Sequence, residues 1–265
     1  MQPTFEPDSV YFASGAYGST VAKAALRSPR KAYDVINGID RPKSDAMRFG
    51  TLWDTWVTGD RRTIVVRPAT YHDPKTGQDK PWHASSAVCK QWLAEHQGYA
   101  VISQDDADRL QRMSDRMGPL HRLCIPPAQF QAVYRIDQGS FRAQCKVDIL
   151  LDDGHMVDVK TTSSPIEDFA RQAIKYGYHV QAGWYRWIAQ ELGYDAPNFT
   201  FLVTETISPY RTIHFIPDTN WLVFGDAEAS RAVAILDRCC RENAWHDPQP
   251  ITQTLSLPHW LNKED

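Results

Sequence analysis

Nowhere in these 265 residues does an apolar run approach the ~20 positions that a membrane-spanning helix needs. The opening MQPTFEPDSV has no charged region followed by an apolar one, so it does not read as a secretory signal. The expectation is a cytoplasmic protein. Cysteine is sparse, with five residues and no ligand-like spacing, and Cys239 and Cys240 are adjacent. This excludes a four-cysteine cluster, and an odd count in a cytosolic chain points to thiols. An excess of basic charge is also missing: 29 Lys and Arg face 32 Asp and Glu, for a formal net charge of −3. That argues against a whole-surface nucleic-acid footprint but leaves room for a local basic channel. There is no internal repeat or low-complexity tract. The length permits one large or two small domains with a real core.

What is present is organised around Phe141–Lys160, FRAQCKVDILLDDGHMVDVK. Asp153-Gly154 between two apolar runs predicts a hairpin. Side chains alternate along a strand. Phe141, Ala143, Cys145, Val147, Ile149 and Leu151 therefore form one apolar row, and Arg142, Gln144, Lys146 and Asp148 a polar one. In the second strand Val157 and Val159 face one way, Asp158 and Lys160 the other. Two carboxylates and a lysine on one face suit metal-dependent phosphodiester hydrolysis. Two hard oxygen ligands can hold Mg²⁺, which keeps several waters, and a lysine nearby can orient one or neutralise charge on phosphate. The same Asp-x-Lys is also how a solvated surface ion pair looks, worth ~0–1 kcal/mol.

The residues that follow make the pattern more specific. Ser163-Ser164-Pro165 reads as a helix start, with Ser as cap and Pro in the first turn. Phe169, Ala173 and Ile174 then mark an apolar stripe. The next helix, Tyr178 to Leu192, carries Gln181 and Tyr185 at i, i+4 on one face. The composite D…DxK followed by QxxxY resembles the PD-(D/E)XK nuclease superfamily, in its RecB-like and lambda-exonuclease-like branch. The phrases VDVKTT, YGYHVQAGWY and LPHW are most similar to the exodeoxyribonuclease VIII (RecE-type) nuclease domain, over roughly residues 14–260.

That resemblance implies an α/β (α+β) fold with a restriction-endonuclease-like central mixed sheet flanked by helices. It implies that Asp148 and Asp158 bind Mg²⁺ (Mn²⁺ as a substitute), that the Val159 carbonyl adds a ligand, and that Lys160 assists the nucleophile. Gln181 and Tyr185 would position phosphate or water, with Thr161 and His179 lining the same groove. Phe49-Gly50-Thr51 opens a helix that in the family supplies a histidine. Asp54 stands where it would fall, either as a harder ligand or as a surface aspartate beside two tryptophans. Relatives carry an acidic residue in the strand before the hairpin, where this chain has only Gln129 and Gln131. The resemblance further implies 5′→3′ digestion of double-stranded DNA ends, an annealing recombinase as partner and a ring-shaped homo-oligomer.

Along the rest of the chain, residues 1–18 read as an irregular lead-in. Helices are expected at Thr20–Arg27, from Ser28-Pro29 through Ile36, at Ala46–Val57, at 85–97 and from Ser103 through Met117. Lys23, Arg27, Arg30 and Lys31 are either phosphate contacts or a solvated face. Thr63–Val66 suggests a strand and Pro68–Trp82 a long loop. Residues 68–125 look like a helical arm within a single 1–265 domain. Strands are expected at Gln129–Ile136, Asn198–Thr204 and Arg211–Phe215, then a long helix, Thr219–Glu242. Glu205 either approaches the site or sits on the surface, and Trp260 anchors the tail. Two readings compete with an exonuclease: a DNA-end-binding module without catalysis, and an endonuclease on the same core.

Overall fold

The computed structural model describes residues 2–39, 44–59, 63–195, 197–247 and 254–256. The lead-in is more ordered than its composition suggests. It forms a short strand β1 (Thr4–Phe5) and helix α1 (Asp8–Ala13). Helix α2 (Ser19–Arg27) follows, then α3 (Pro29–Ile36), whose cap Ser28 accepts from the Lys31 amide with Pro at its first position. Helix α4 (Asp45–Thr58) is capped by Ser44 in the same way.

Strand β2 (Ile64–Val66) leads to a hairpin, β3 (Thr70–Asp73) and β4 (Gln78–Pro81). The expected Pro68–Trp82 loop is therefore a hairpin. Its strands are four residues long and polar, so no apolar alternation announces them. The turn is built by Asp73, which accepts from the Lys75 amide and the Thr76 hydroxyl and pairs with Lys80. Helix α5 (Ala87–Glu95), strand β5 (Ala100–Ile102) and helix α6 (Gln104–Arg116) come next, with Ser86 and Ser103 as caps. A 3₁₀ segment, Gly118–Cys124, leads into the main sheet.

That sheet continues with β6 (Gln129–Asp137), β7 (Arg142–Leu150) and β8 (Met156–Thr162). Helices α7 (Phe169–Lys175) and α8 (Tyr178–Glu191), strands β9 (Phe199–Glu205) and β10 (Thr212–Phe215), and helix α9 (Thr219–Glu242) complete the order. The strands run β1-β6-β7-β8-β9-β10. β8 and β9 are parallel and the other neighbours antiparallel, so the sheet is mixed, as expected. Helices α7 and α8 form the crossover that a parallel β8–β9 pair needs.

Each sheet face has its own core. On one, Ala143, Cys145, Val147, Phe199 and Phe201 pack with residues of α2, α8 and α9, including Trp184 and Leu236. On the other, Ile149, Val157, Val159 and Leu202 pack with α4 and α6, including Trp53 and Met113. The six-residue apolar row of the first hairpin strand is therefore not one row. Phe141 to Val147 lie in the first core, whereas Ile149 and Leu151 lie in the second and Leu150 crosses to the first. Alternation is broken at Asp148. The reason is in β6, where Gln131 has φ 56°, the left-handed region, and the ladder skips it between Phe130↔Ile149 and Ala132↔Val147.

Helices α8 and α9 cross with their backbones nearly touching. A Cβ at Gly183 would lie 2.2 Å from the Gly225 carbonyl oxygen, and one at Gly225 2.4 Å from that of His179. Only glycine permits this approach, and it fixes the height of the helix that carries Gln181 and Tyr185.

Candidate active site

The site opens where β7 and β8 part. Their pairing holds at Leu150↔Met156 and Ile149↔Val157, and no pair follows. Beyond it the Val159 amide donates to Asp148 Oδ2 at 2.8 Å, so a carboxylate takes the place of a ladder carbonyl. In a strand the N–H and C=O of one residue point to the same side, which turns the Val159 carbonyl toward the same gap. Asp148, Val159 and Lys160 all line a cavity of about 890 Å³, together with Asp54 from α4. Helices from both sheet faces reach this place: α4 brings Asp54 from one core, and α8 brings Gln181 from the other. The groups meet in the gap between strands, not on a single hairpin face.

Asp158 is almost fully enclosed, at 2% exposure. Its Oδ1 accepts from Gln181 Nε2 at 2.5 Å, and the Lys160 ammonium lies against Oδ2. Oδ2 is buried with no hydrogen-bond partner of acceptable direction, so this ion contact is its main compensation. Burial by itself would lower the Lys160 pKa, but the charges of Asp158 and Asp148 outweigh it and raise the ammonium above its usual range. Lys160 is therefore a fixed cation here, suited to stabilising negative charge and unsuited to acting as a base.

Asp148 is pushed well above the ordinary carboxyl range, first by burial and then by the charges of Asp54 and Asp158. Asp54 is raised to about 6, again chiefly by burial. Its two oxygens each accept from Gln131 Nε2 at 3.1 Å, and the Thr58 hydroxyl lies 3.0 Å from Oδ1. Asp54 is thus a cavity residue and not a surface aspartate. Gln131 and Thr58 belong to the site, and neither stands out in the sequence, because a glutamine and a threonine advertise no charge.

Two further cations face the cavity, Lys23 and Arg109. The Arg109 guanidinium stacks 3.6 Å over the Phe49 ring and is 3.7 Å from Asp106. Lys23 and Lys160 both stand over the Tyr178 ring, at 5.9 and 5.1 Å. Burial and the neighbouring Lys160 charge lower the Lys23 pKa to about 8. Of the four basic residues in α2 and α3, Lys23 is the one that lines the cavity, while Arg30 pairs with Asp34 on its own helix.

The structure separates the remaining expected residues. Gln181 touches Asp158 directly. The Tyr185 hydroxyl donates to the Lys146 carbonyl at 2.9 Å, which bolts α8 to β7. Thr161 lines the cavity, close under Gly50. His179 points elsewhere: its ring stacks on Phe224 at 5.0 Å and meets Trp221 edge-on, in the α8–α9 interface. Glu205 is buried, not superficial. It accepts from the Ile166 amide and from Arg211, whose guanidinium also holds Glu167. The helix expected after Ser163-Ser164-Pro165 accordingly begins as a 3₁₀ turn, Ile166–Asp168, whose first amide is satisfied by Glu205 and not by a serine. Leu257–Trp260 lie outside the described residues.

Among the described residues no group of three or more His, Cys, Asp or Glu is arranged as a metal cage, and the five cysteines form no disulfide. Mg²⁺ does not need such a cage, since one or two carboxylates plus waters suffice. The donor set fits a hard cation. Asp148 and Asp54 are carboxyls whose ionisation is disfavoured by burial and by neighbouring carboxylates, Asp54 and Asp158 acting on Asp148 and Asp158 on Asp54, while Asp158 Oδ2 is held by an ion contact with Lys160. A divalent ion would relieve that repulsion.

Comparison with known proteins places the fold. No family model matches the chain, and no curated protein matches it in sequence. Over 97% of both chains it superposes on the crystal structure of a candidate exonuclease from Eubacterium rectale, with a TM-score of 0.57 and 14% identity. A second solved structure, SSO0001, aligns over 82% of this chain and 84% of its own at 12% identity, with a TM-score of 0.28, too low to bear on the fold. No helix among the described residues is long and apolar enough to cross a membrane. The chain thus has a mixed α/β architecture, a six-stranded mixed sheet flanked by helices, shared over nearly its whole length with the Eubacterium rectale protein.

Proposed function

We propose that the protein is a Mg²⁺-dependent deoxyribonuclease that digests linear double-stranded DNA from its ends. The observation that carries this reading is the parting of β7 and β8, which brings Asp148, the Val159 backbone, Lys160 and Asp54 to one cavity with Asp158 behind them. The residues that would hold Mg²⁺ are Asp148, Asp158 and the Val159 carbonyl, with Asp54 completing the set. When bound, the ion would supply Lewis-acid charge on a phosphate and a water acidified for attack. Lys160 would stabilise the charge that builds on the phosphate oxygens. Gln181 fixes the Asp158 carboxylate, and Lys23 would hold a phosphate at the cavity wall. Tyr185 would act by supporting the strand through its bond to the Lys146 carbonyl.

The likeness to a candidate exonuclease points the same way, and so does the D…DxK and QxxxY pattern. The 5′→3′ direction, a homo-oligomeric ring and an annealing recombinase partner rest on the sequence resemblance. The competing reading, a DNA-end-binding module, is favoured by one observation: both Asp54 oxygens are already engaged by Gln131. The test is digestion of 5′- and 3′-labelled linear duplex and of closed circular DNA, with and without Mg²⁺, by the protein and by Asp158→Asn. Loss of 5′ label from linear DNA only, abolished by the substitution, is the expected result. Binding without digestion would favour the end-binding module, cutting of circles an endonuclease. Equal digestion by both proteins would remove the metal assignment.

A further inference from the structure

We infer that Gln131 is the positioning residue that assembles the carboxylate cluster, holding Asp54 with its side chain and freeing Asp148 with its backbone. The inference rests on the metal-dependent reading above and adds a residue to it.

Two independent observations meet at this position. The first is conformational. Gln131 has φ 56°, a region that non-glycine residues enter only at a cost and that is concentrated at functional sites. The β6–β7 register, Phe130↔Ile149 then Ala132↔Val147, puts Gln131 opposite Asp148, yet that pair is not formed. On both strands the residues to either side of the skipped pair belong to opposite cores: Phe130 and Ile149 to one, Ala132 and Val147 to the other. A regular ladder would have kept each strand's two on the same face. The turn at Gln131 is what breaks the alternation and leaves the Asp148 carboxylate to reach the Val159 amide.

The second observation is the side chain. Nε2 of Gln131 lies 3.1 Å from each Asp54 oxygen and 3.0 Å from the Thr58 hydroxyl. An amide presents donors without adding a negative charge to a site that already gathers three carboxylates. Each Asp54 oxygen has acceptor capacity beyond its contact with Gln131, and the side chain lines the cavity. Such contacts behind a ligating carboxylate set its orientation. Glycine would adopt this backbone more easily, and an apolar residue would fill the space, but neither would hold Asp54.

The experiment compares the full-length protein with Gln131→Gly, Gln131→Asn and Asp158→Asn. Glycine keeps the left-handed backbone and removes the donors; asparagine tolerates the backbone but is too short to span to Asp54. Mn²⁺ affinity is measured by electron paramagnetic resonance without DNA, alongside the thermal midpoint, kcat and KM on linear duplex. The expected result for both Gln131 variants is Mn²⁺ affinity weakened ten- to hundredfold, a matching fall in kcat and an unchanged KM, with a midpoint close to wild type because relief of the backbone strain opposes loss of the Asp54 contact. Unchanged Mn²⁺ affinity and kcat in Gln131→Gly would overturn the inference, as would a lowered midpoint with intact affinity. If Asp158→Asn loses Mn²⁺ while Gln131→Gly keeps it, the inference alone falls. If wild type binds no Mn²⁺, the metal-dependent reading falls and takes the inference with it.

Discussion

Replacing Asp54 by Asn should make the metal-free protein more stable and less active. In the fold Asp54 has its pKa raised from 3.8 to about 6, mainly by burial among other carboxylates. Above that value the folded state carries an ionised group at a cost, and below the unfolded value the cost vanishes. A difference of about two units corresponds to about 3 kcal/mol at pH 7.5, falling to roughly half at pH 5, where the folded carboxyl is already largely protonated. Asn keeps one acceptor oxygen but disturbs the Gln131 contact, a loss of ~1 kcal/mol. The net gain is therefore ~2 kcal/mol, or roughly 4–8 °C in thermal midpoint for a chain of this size. The assay is thermal unfolding by circular dichroism in EDTA at pH 7.5 and pH 5. Added Mg²⁺ should then raise the wild-type midpoint more than the variant's, because ligand binding stabilises by mass action. A variant less stable than wild type at pH 7.5, or a gain equal at both pH values, would refute the reasoning.

Lys23→Met should raise KM for DNA about tenfold with kcat nearly unchanged, the loss of one phosphate contact worth ~1.4 kcal/mol; steady-state kinetics on labelled duplex checks it. Tyr185→Phe should cost ~1 kcal/mol in urea unfolding through the lost bond to Lys146 and leave the pH profile of activity in place. Gly183→Ala should destabilise by about 3 kcal/mol, the upper end of overpacking costs, because its Cβ has no room against the Gly225 backbone; the denaturation midpoint reads this out.

The elements with strong local signals are legible in the sequence. Ser28-Pro29 and Ser103 mark helix starts and cap as expected, and where Ser44 or Asp45, and Ser85 or Ser86, are both able to cap, the structure uses Ser44 and Ser86. The Asp-Asp-Gly turn sets β7 against β8. Asp148, Asp158, Lys160 and Gln181 are recognisable because their spacing reflects strand and helix geometry, which is local. The β3–β4 hairpin escaped notice because its residues are polar on both faces. His179 is close to Gln181 in sequence, but two residues along a helix turn through about 200°, so it lies on the opposite face of α8, where Phe224 and Trp221 of α9 pack against it.

By itself, then, the chain determined which groups of the hairpin and its following helix are available for chemistry, since alternation and helical pitch need no partner. Tertiary structure decided where those groups meet. The left-handed turn at Gln131 breaks a pattern that local periodicity would have continued, and it takes α4, distant in sequence, to bring Asp54 to the gap. The charge state of the site was likewise invisible, because burial and neighbouring carboxylates set it, and neither exists until the sheet and its helices close around them.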